Sequence, residues 1–578
     1  MGRLRERLRR AATSPLFWVL LGVLLLRLVG LGWGLPASDG WDNDGVAPRD
    51  FLSGLVETFT PGKFFTYPPV HLALLGLATS PITGVALAKA PSFAPAEVIG
   101  EILKVPYMTA AALVARLISA LMSVGIVWAM AKIAEELRGR RAALAVAVVC
   151  GLNAPLTYYA HTTNLDVPYL FWASLALLAL VRVIARREPR RLRHVAVLAA
   201  LAIGTKDQAY ATIGLAAPLA LVAWLAMDPW PRKNLRAVLV NALVATLLFA
   251  GLLLVTLAIV FNPTGFRARL AFLVGSASQD FAHYSTDAKG LALVVADSVL
   301  RFERYYPWVL GVAVVLGFVT VMRSGRENLR AAALVPLLGA LSFTVLFNCT
   351  ARRTEHRFLL PQMVFWSVYA GIFIDVLVFQ LRSRTQRRLG AAIAGVVFGW
   401  ALFKCADVDA NLLLDPRYDA EAWLTAHVAP GDVIEVHGLN VYLPRFPPRA
   451  RVIRVGHEPK NRRNPLPDVV EVEGQYGDAE QRDARFLVVS EGWVWRYLID
   501  LDEWTAKSGK VLPKTQLENS TETDGTTFFQ GLVKGRRGFR RVHDAKWTST
   551  VWPRLDIHAS TAREIWIFER LPPGANPR

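Results

Sequence analysis

Apolar runs of about 17 to 25 residues recur along this chain, and a run of that length is what a helix needs to cross a hydrocarbon core. A backbone in such a core must satisfy its own hydrogen bonds, which a helix does segment by segment. Spans are expected near residues 15–35, 107–131, 142–160, 165–181, 192–208, 209–227, 237–261, 306–322, 331–347, 358–380 and 389–405. The fold class follows: a multi-pass α-helical membrane protein of about 11 transmembrane helices. The first run is long and lacks a small-residue cleavage site, so it is expected to stay as the first span.

The chain carries 65 Lys and Arg against 46 Asp and Glu, a formal charge of +19. Such an excess suits nucleic acid only when it forms a basic face on a soluble domain. Here it falls in short connectors. Placing MGRLRERLRR in the cytoplasm puts KIAEELRGRR, RVIARREPRRLR, RKNLR, RSGRENLR and LRSRTQRR on the same side. Those segments hold 25 Lys and Arg in about 54 residues against 13 in about 140 on the other side, a roughly fivefold positive-inside asymmetry. No nucleic-acid partner is expected; membrane lipids are. Cys150, Cys349 and Cys405 are far apart and match neither a metal nor a disulfide pattern.

Parity settles two ambiguous stretches. Counting Val70 to Ala90 as a span would move KIAEELRGRR outside, so this segment is expected to lie flat in the outer interface after Pro68 and Pro69. The run from His194 to Met227 must be a pair of spans broken at GTKDQAY, because a single crossing would invert every later connector. The chain then divides into a membrane domain, residues 1–405, with a first outer loop at 36–106, and an extracytoplasmic domain at 406–578. This tail of about 170 residues is long enough for its own core. A helix-like start, DPRYDAEAWLTAHV, and β-like runs in DVIEVHG, RFLVVS and IWIFERL predict a small α/β domain.

Chemistry-bearing residues collect on the outer side of this map. The first loop holds Asp39, Asp42, Asp44 and Asp50, close enough for mutual repulsion to raise the pKa of one of them and so suit it as a general base. The plainer reading is a solvated loop with Asp chosen for turns and caps, and Asp44 before Gly45 is turn-like. A divalent cation is possible at such spacing, but none is required. Lys63, His71, Asp166 in HTTNLD, Lys206 in TKDQAY, and Arg352, Arg353, His356 and Arg357 in TARRTEHRF all face the same way. Guanidinium forks bind phosphate in paired hydrogen bonds, which fits the arginine cluster to a membrane-surface phosphate; lipid headgroups are the plainer occupants. Lys206 beside Asp207 reads equally as an ion pair. Arg27 and Arg116, inside spans, need partners. One reaction uses acid and base together: a carboxylate deprotonates an acceptor hydroxyl, a sugar moves to it from a lipid phosphate, and basic residues stabilise the departing phosphate.

The order of these motifs resembles the C-type (GT-C) lipid-phosphosugar-dependent membrane glycosyltransferases, the superfamily of protein O-mannosyltransferases and lipid A aminoarabinose transferases. The resemblance runs through DNDGVAPRD, YPPVHLALLGL, VARLISALMS with Arg116, TNLDVPYLFWASLALLAL, GTKDQAY and HRFLLPQMVFW, and into DPRYDAEAWLTAHVAPGDVIEV. It implies a hexosyl- or pentosyltransferase of the bacterial cytoplasmic membrane, with the N-terminus cytoplasmic and the C-terminal domain outside. The donor would be a polyprenyl-phosphate sugar, the acceptor a lipid, glycan or protein, and the reaction a single inverting displacement. Carried over, the base is Asp44, with Asp42 second; relatives usually show Asp-Glu where this chain reads Asp42-Asn43-Asp44-Gly45, a departure that leaves the choice between the two open. Lys206, Arg352, Arg353 and Arg357 are the donor-phosphate candidates; Asp166, His71, His356 and Lys63 are candidates for positioning substrate. The rival classes are a multi-pass transporter with an external domain, which predicts an inverted repeat that is not visible, and a non-catalytic lipid-binding or assembly protein on the same fold.

Overall fold

The computed structural model describes residues 14–37, 40–42, 44–460, 463, 468–508, 510–514, 517–518, 522–547, 561 and 563–572. The basic N-terminal segment, Asp39 and Asn43 lie outside them.

Several helices start at Pro or at a capping side chain: Pro15, Pro69 and Pro263 stand at helix N-termini, and Asn153, Asn262, Asp287 and Ser383 cap by accepting from backbone N–H groups. In chain order the helices are α1 (Pro15–Leu28), α2 (Asp50–Phe59), α3 (Pro69–Lys89), α4 (Val105–Arg138), α5 (Arg140–Gly151), α6 (Ala154–Ala160), α7 (Asp166–Arg186), α8 (Leu192–Ile203), α9 (Ala216–Met227), α10 (Leu235–Thr256), α11 (Pro263–Val274), α12 (Ala288–Leu300), α13 (Trp308–Met322), α14 (Glu327–Phe343), α15 (His356–Asp375) and α16 (Arg384–Leu413), with shorter turns between. The α7 helix is central and packs on α4, α8 and α14. Close approach depends on small residues: a Cβ on Gly371 of α15 would stand 2.5 Å from the Val146 Cα of α5.

Among the described residues, 8 helices are long and apolar enough to cross a membrane, or 10 if each bent pair is one span, against the eleven expected. Two expected spans are short as helices: the first run is helical only over Pro15–Leu28, and the run near 192–208 only over Leu192–Ile203 before it breaks at Gly204. The 142–160 run bends by 69° between α5 and α6, where Asn153 caps the second helix by accepting from Leu156 N at 2.9 Å. In contrast α3, expected to lie flat, forms 21 helical residues and passes on length. Its start is fixed to the end of α8, Val70 N donating to Gly204 O at 2.9 Å. The start of α4 is fixed to the first loop, Ala37 N donating to Thr109 Oγ1 at 3.1 Å. Both helices begin at one end of the bundle, so a full crossing by α3 would need residues 90–104 to return across it, whereas an inclined placement would not.

The intramembrane arginines find backbone partners. Arg116 donates to Leu31 O at 2.8 Å and Trp33 O at 2.7 Å, and Arg27 to Gly151 O at 2.8 Å and to Thr157. Fully buried guanidinium groups persist because their fork geometry is met by carbonyl and hydroxyl acceptors.

After α16, α17 (Pro416–His427) leads into a six-stranded sheet in the order β3-β2-β1-β4-β6-β5. Its strands are β1 (Val433–His437), β2 (Arg451–Gly456), β3 (Val469–Glu473), β4 (Phe486–Ser490), β5 (Phe539–Ala545) and β6 (Ile565–Arg570). The first four are parallel and the β5–β6 pair is antiparallel, as expected of an α/β unit with an edge hairpin. The helix and the three β-like runs read from the sequence fall on α17, β1, β4 and β6. This unit sits on the end of the first apolar run and on the first loop: Trp33 Nε1 donates to Asp415 Oδ2 at 3.1 Å, and the Arg417 guanidinium stands 4.1 Å from the Trp41 ring centroid.

Candidate active site

The acidic loop is fastened before it reaches the site. Asp42, buried, accepts from Thr163 N at 2.6 Å and from Thr163 Oγ1 at 3.1 Å, and Val46 N donates to Thr163 O at 3.3 Å. Gly45 lies inside this latch, where a Cβ would come within 2.3 Å of Asp42 Oδ2. Asp44 then takes a left-handed backbone, φ 65°, a conformation Asp tolerates better than most residues. That turn points the chain so that the Asp44 carboxylate, 40% exposed, accepts from Arg357 Nη1 at the start of α15.

Three further ion pairs surround this one. Asp166, fully buried in the first turn of α7, accepts from Lys206 Nζ and from Gln208 Nε2, each at 2.8 Å. Asp207 holds Arg269 of α11 in a two-pronged pair, its Oδ1 2.6 Å from Arg269 Nη1. Arg353 donates to Glu355 Oε1 at 2.8 Å. Neighbours in sequence are thus partners of different residues: Lys206 does not pair with Asp207. Burial pushes the Tyr67 phenol up to about 12, and the Asp44 charge adds to the effect, so Tyr67 stays a hydrogen-bond donor at neutral pH.

These groups form one end of a cavity of about 990 Å³. Asp44, Tyr67, Lys206, Asp207, Gln208, Arg269, Arg353 and Arg357 line it there, and Ala196, Ala199, Ala217, Leu221, Ala245 and Phe249 of α8, α9 and α10 line the rest. A charged head continuous with an apolar slot between helices is the shape complement of an amphiphile.

Of the residues singled out from the sequence, Asp44, Lys206, Arg353 and Arg357 line the cavity together, and Asp166 touches it through Lys206. Asp42 lies behind Asp44, on Thr163. Arg352 is outside the lining residues, in a left-handed turn of φ 53°, and donates to Tyr284 O at 3.0 Å and to Gln279 Oε1 at 2.5 Å. His356 is buried beside Arg304, 3.2 Å between Nε2 and Nη1, with its carbonyl bonded by Tyr305. His71 is buried outside the lining, and Lys63 is exposed on the loop before α3. Sequence reading passed over Arg269, Tyr67 and Gln208. Gln208 sits in the quoted GTKDQAY, and a second basic outer residue in GFRARL was the available signal for Arg269. Among the described residues one group has metal-ligand spacing, His457 with Glu522 and Asp524; it is in the C-terminal domain, where Glu522 accepts from Asp524 N and Gly525 N and Asp524 accepts from Tyr476 N and Gly477 N.

Residues 108–263 match the family described as dolichyl-phosphate-mannose-protein mannosyltransferase. The matched stretch runs from α4 to the start of α11 and contains Asp166 and Lys206. The structure is similar to ArnT from Cupriavidus metallidurans bound to undecaprenyl phosphate, at 17% identity and a TM-score of 0.45, over 86% of this chain and 95% of that one. It is also similar to the archaeal oligosaccharyltransferase AglB from Archaeoglobus fulgidus in complex with an inhibitory peptide and a dolichol-phosphate, at 13% identity and a TM-score of 0.43, over 83% and 70% of the two chains. A comparison with curated protein sequences gives no match.

Proposed function

We propose that this chain, a multi-pass membrane glycosyltransferase of the GT-C type, transfers a sugar from a polyprenyl-phosphate donor to an acceptor hydroxyl with Asp44 as general base. The observation that carries the reading is the Asp44–Arg357 pair at the charged head of a cavity whose remaining wall is largely apolar. The apolar slot takes the polyprenyl chain, and Arg357, Lys206 and Arg353 take the phosphate, whose oxygens suit guanidinium forks. A phosphate drawing on Arg357 competes with Asp44 for the same donors and releases that carboxylate toward the acceptor. The acceptor oxygen attacks the anomeric carbon from the face opposite the phosphate as its proton passes to Asp44. The carbon–phosphate oxygen bond breaks, the configuration inverts, and the lipid phosphate leaves with its charge held by the cations.

Asp42 is a positioning residue in this scheme, because its Oδ2 accepts from Thr163 N and Thr163 Oγ1. The reaction needs no divalent cation, since the leaving group departs as a phosphate already countered by arginine and lysine. The charge asymmetry of the connectors supports placing the site and the C-terminal domain outside the bacterial cytoplasmic membrane. Cysteine labelling near Asp432 from the outside tests that placement.

The central experiment is reconstitution in vesicles with a panel of polyprenyl-phosphate sugars. Asp44→Asn is expected to lower transfer on the order of 10²- to 10⁴-fold, the usual span for a general base. Unchanged transfer by a folded Asp44→Asn variant overturns the assignment. Transfer that persists in a chelator supports the metal-free scheme, and loss restored by a divalent ion overturns it.

A further inference from the structure

A second cavity, of about 440 Å³, is lined by Arg141, Arg384, Arg387 and Arg388 together with Val378, Phe379 and Ala391. It lies at the other end of the bundle from the candidate active site. Arg357 is the second residue and Gln380 the last of one 25-residue helical stretch, which sets the two sites roughly 35 Å apart along the helix.

We propose that this cavity binds a phosphoryl anion, and that its source is the headgroup of an anionic membrane lipid. Four guanidinium groups share one concavity that has no carboxylate among its lining residues. Among the described residues none of the four has an ion-pair partner, in contrast to the head of the active-site cavity, where each cation is matched by an acid. Like charges brought together in this way repel; Asp375 acts on Arg141 from outside the lining, and an anion seated among the four relieves what remains. The start of α16 adds to the field: three of the arginines lie in its first two turns, and a complete capping box of Ser383 and Gln386 holds that helix end in place. The fourth, Arg141, is held from the side, 5.6 Å from the Phe379 ring centroid. The apolar lining, Val378, Phe379 and Ala391, distinguishes this cavity from a purely solvated basic face and gives an acyl chain a surface beside its phosphate.

The full chain in a nonionic detergent is titrated calorimetrically with short-chain phosphatidylglycerol and, separately, with inorganic phosphate. Wild type, Arg387→Gln/Arg388→Gln and Arg357→Gln are compared, so that phosphate bound in the active-site cavity is counted apart. Wild type is expected to show two classes of site for the lipid. The double variant loses the one at the second cavity, with affinity falling roughly fivefold per arginine and on the order of thirtyfold for the pair; Arg357→Gln retains it. The double variant, altered only at exposed positions, is expected to keep its transfer activity. Loss of lipid binding with unchanged phosphate binding assigns the headgroup as the source. Loss of phosphate binding alone, or identical isotherms for wild type and the double variant, overturns the proposal.

Discussion

Arg357 and Asp44 stand 313 positions apart in the chain and meet in a hydrogen-bonded ion pair at the head of the cavity. One guanidinium thus holds the candidate base and faces the volume where the donor phosphate is proposed to bind. Removing it should affect both. Arg357→Gln is expected to raise the donor KM and lower kcat, with kcat/KM falling on the order of 10²- to 10³-fold, as for loss of a group that stabilises developing charge. Arg357→Lys keeps the charge and loses the fork, so its defect should be intermediate. Steady-state kinetics with a short-chain donor measure this, and equal constants for Gln and wild type would sink the phosphate role.

The latch behind Asp44 makes a separate prediction. Gly45→Ala places a methyl 2.3 Å from Asp42 Oδ2 and 2.5 Å from Thr163 Oγ1, so the loop must shift. A displacement of about 1 Å at a reacting group costs roughly 10²-fold in rate. The variant should fold, bind donor as wild type does, and lose kcat. Donor affinity and kcat measured together check the split; a fall in affinity alone contradicts it.

Much of this site was legible in the sequence because its residues announce themselves by being expensive where they stand. Asp44, Lys206, Arg353 and Arg357 are charged residues beside apolar runs, and placing the runs by charge parity already collects them on one side. Their partners were not legible. Lys206 and Asp207 are adjacent, yet the backbone turn at Gly204 sends one to Asp166 and the other to Arg269, contacts made across 40 and 62 residues. The proposed division of labour between Asp42 and Asp44 rests on a left-handed backbone at Asp44 and a contact with Thr163 at Asp42, and neither has a sequence period. The span count differed for a related reason: composition fixes where a run is apolar, while the helix ends at Leu28 and Ile203 are set by turns within it.

The Lys206–Asp166 pair permits a double-mutant cycle. Lys206→Met leaves Asp166 buried without its cation, a loss of roughly 3–5 kcal/mol. Adding Asp166→Asn should recover much of the thermal stability, since a neutral amide needs no counter-charge. Transfer should not recover, because the phosphate has still lost Lys206. Thermal unfolding and activity assayed on the same four proteins decide it: recovery of both would make the pair structural only.

The C-terminal domain is expected to respond to acid through one buried carboxylate. Glu435 on β1 is fully buried; burial works against its charge, but hydrogen bonds from Arg482 at 2.8 and 2.6 Å, with His437 beside it, hold it down to about 2. A depressed carboxylate stabilises the fold above its unfolded pKa near 4.5 and loses that contribution as pH falls through the folded value. Loss is therefore expected between about pH 4.5 and 2, worth on the order of 3 kcal/mol. Glu435→Gln should be less stable at neutral pH and should show a flatter acid profile in chemical denaturation. An unchanged profile would mean that other carboxylates dominate.

The apolar slot makes the most direct test of what the cavity is for. Ala199, Ala217 and Ala245 line it from α8, α9 and α10, and small side chains there leave room between the helices. Filling that room with Ala217→Phe or Ala245→Phe should act on the lipid chain and leave the charged head untouched. On the proposed reading a polyprenyl tail in the slot gains on the order of 0.8 kcal/mol per buried methylene, so long-chain donors should depend on the slot and a donor truncated to one or two isoprene units should not. The variants are expected to raise the KM for long-chain donors at least tenfold while the truncated donor reacts as with wild type. Equal losses for both donors would place the damage in the head of the site or in the fold. No loss for either would mean that the tail lies elsewhere in the membrane and that the slot has another occupant.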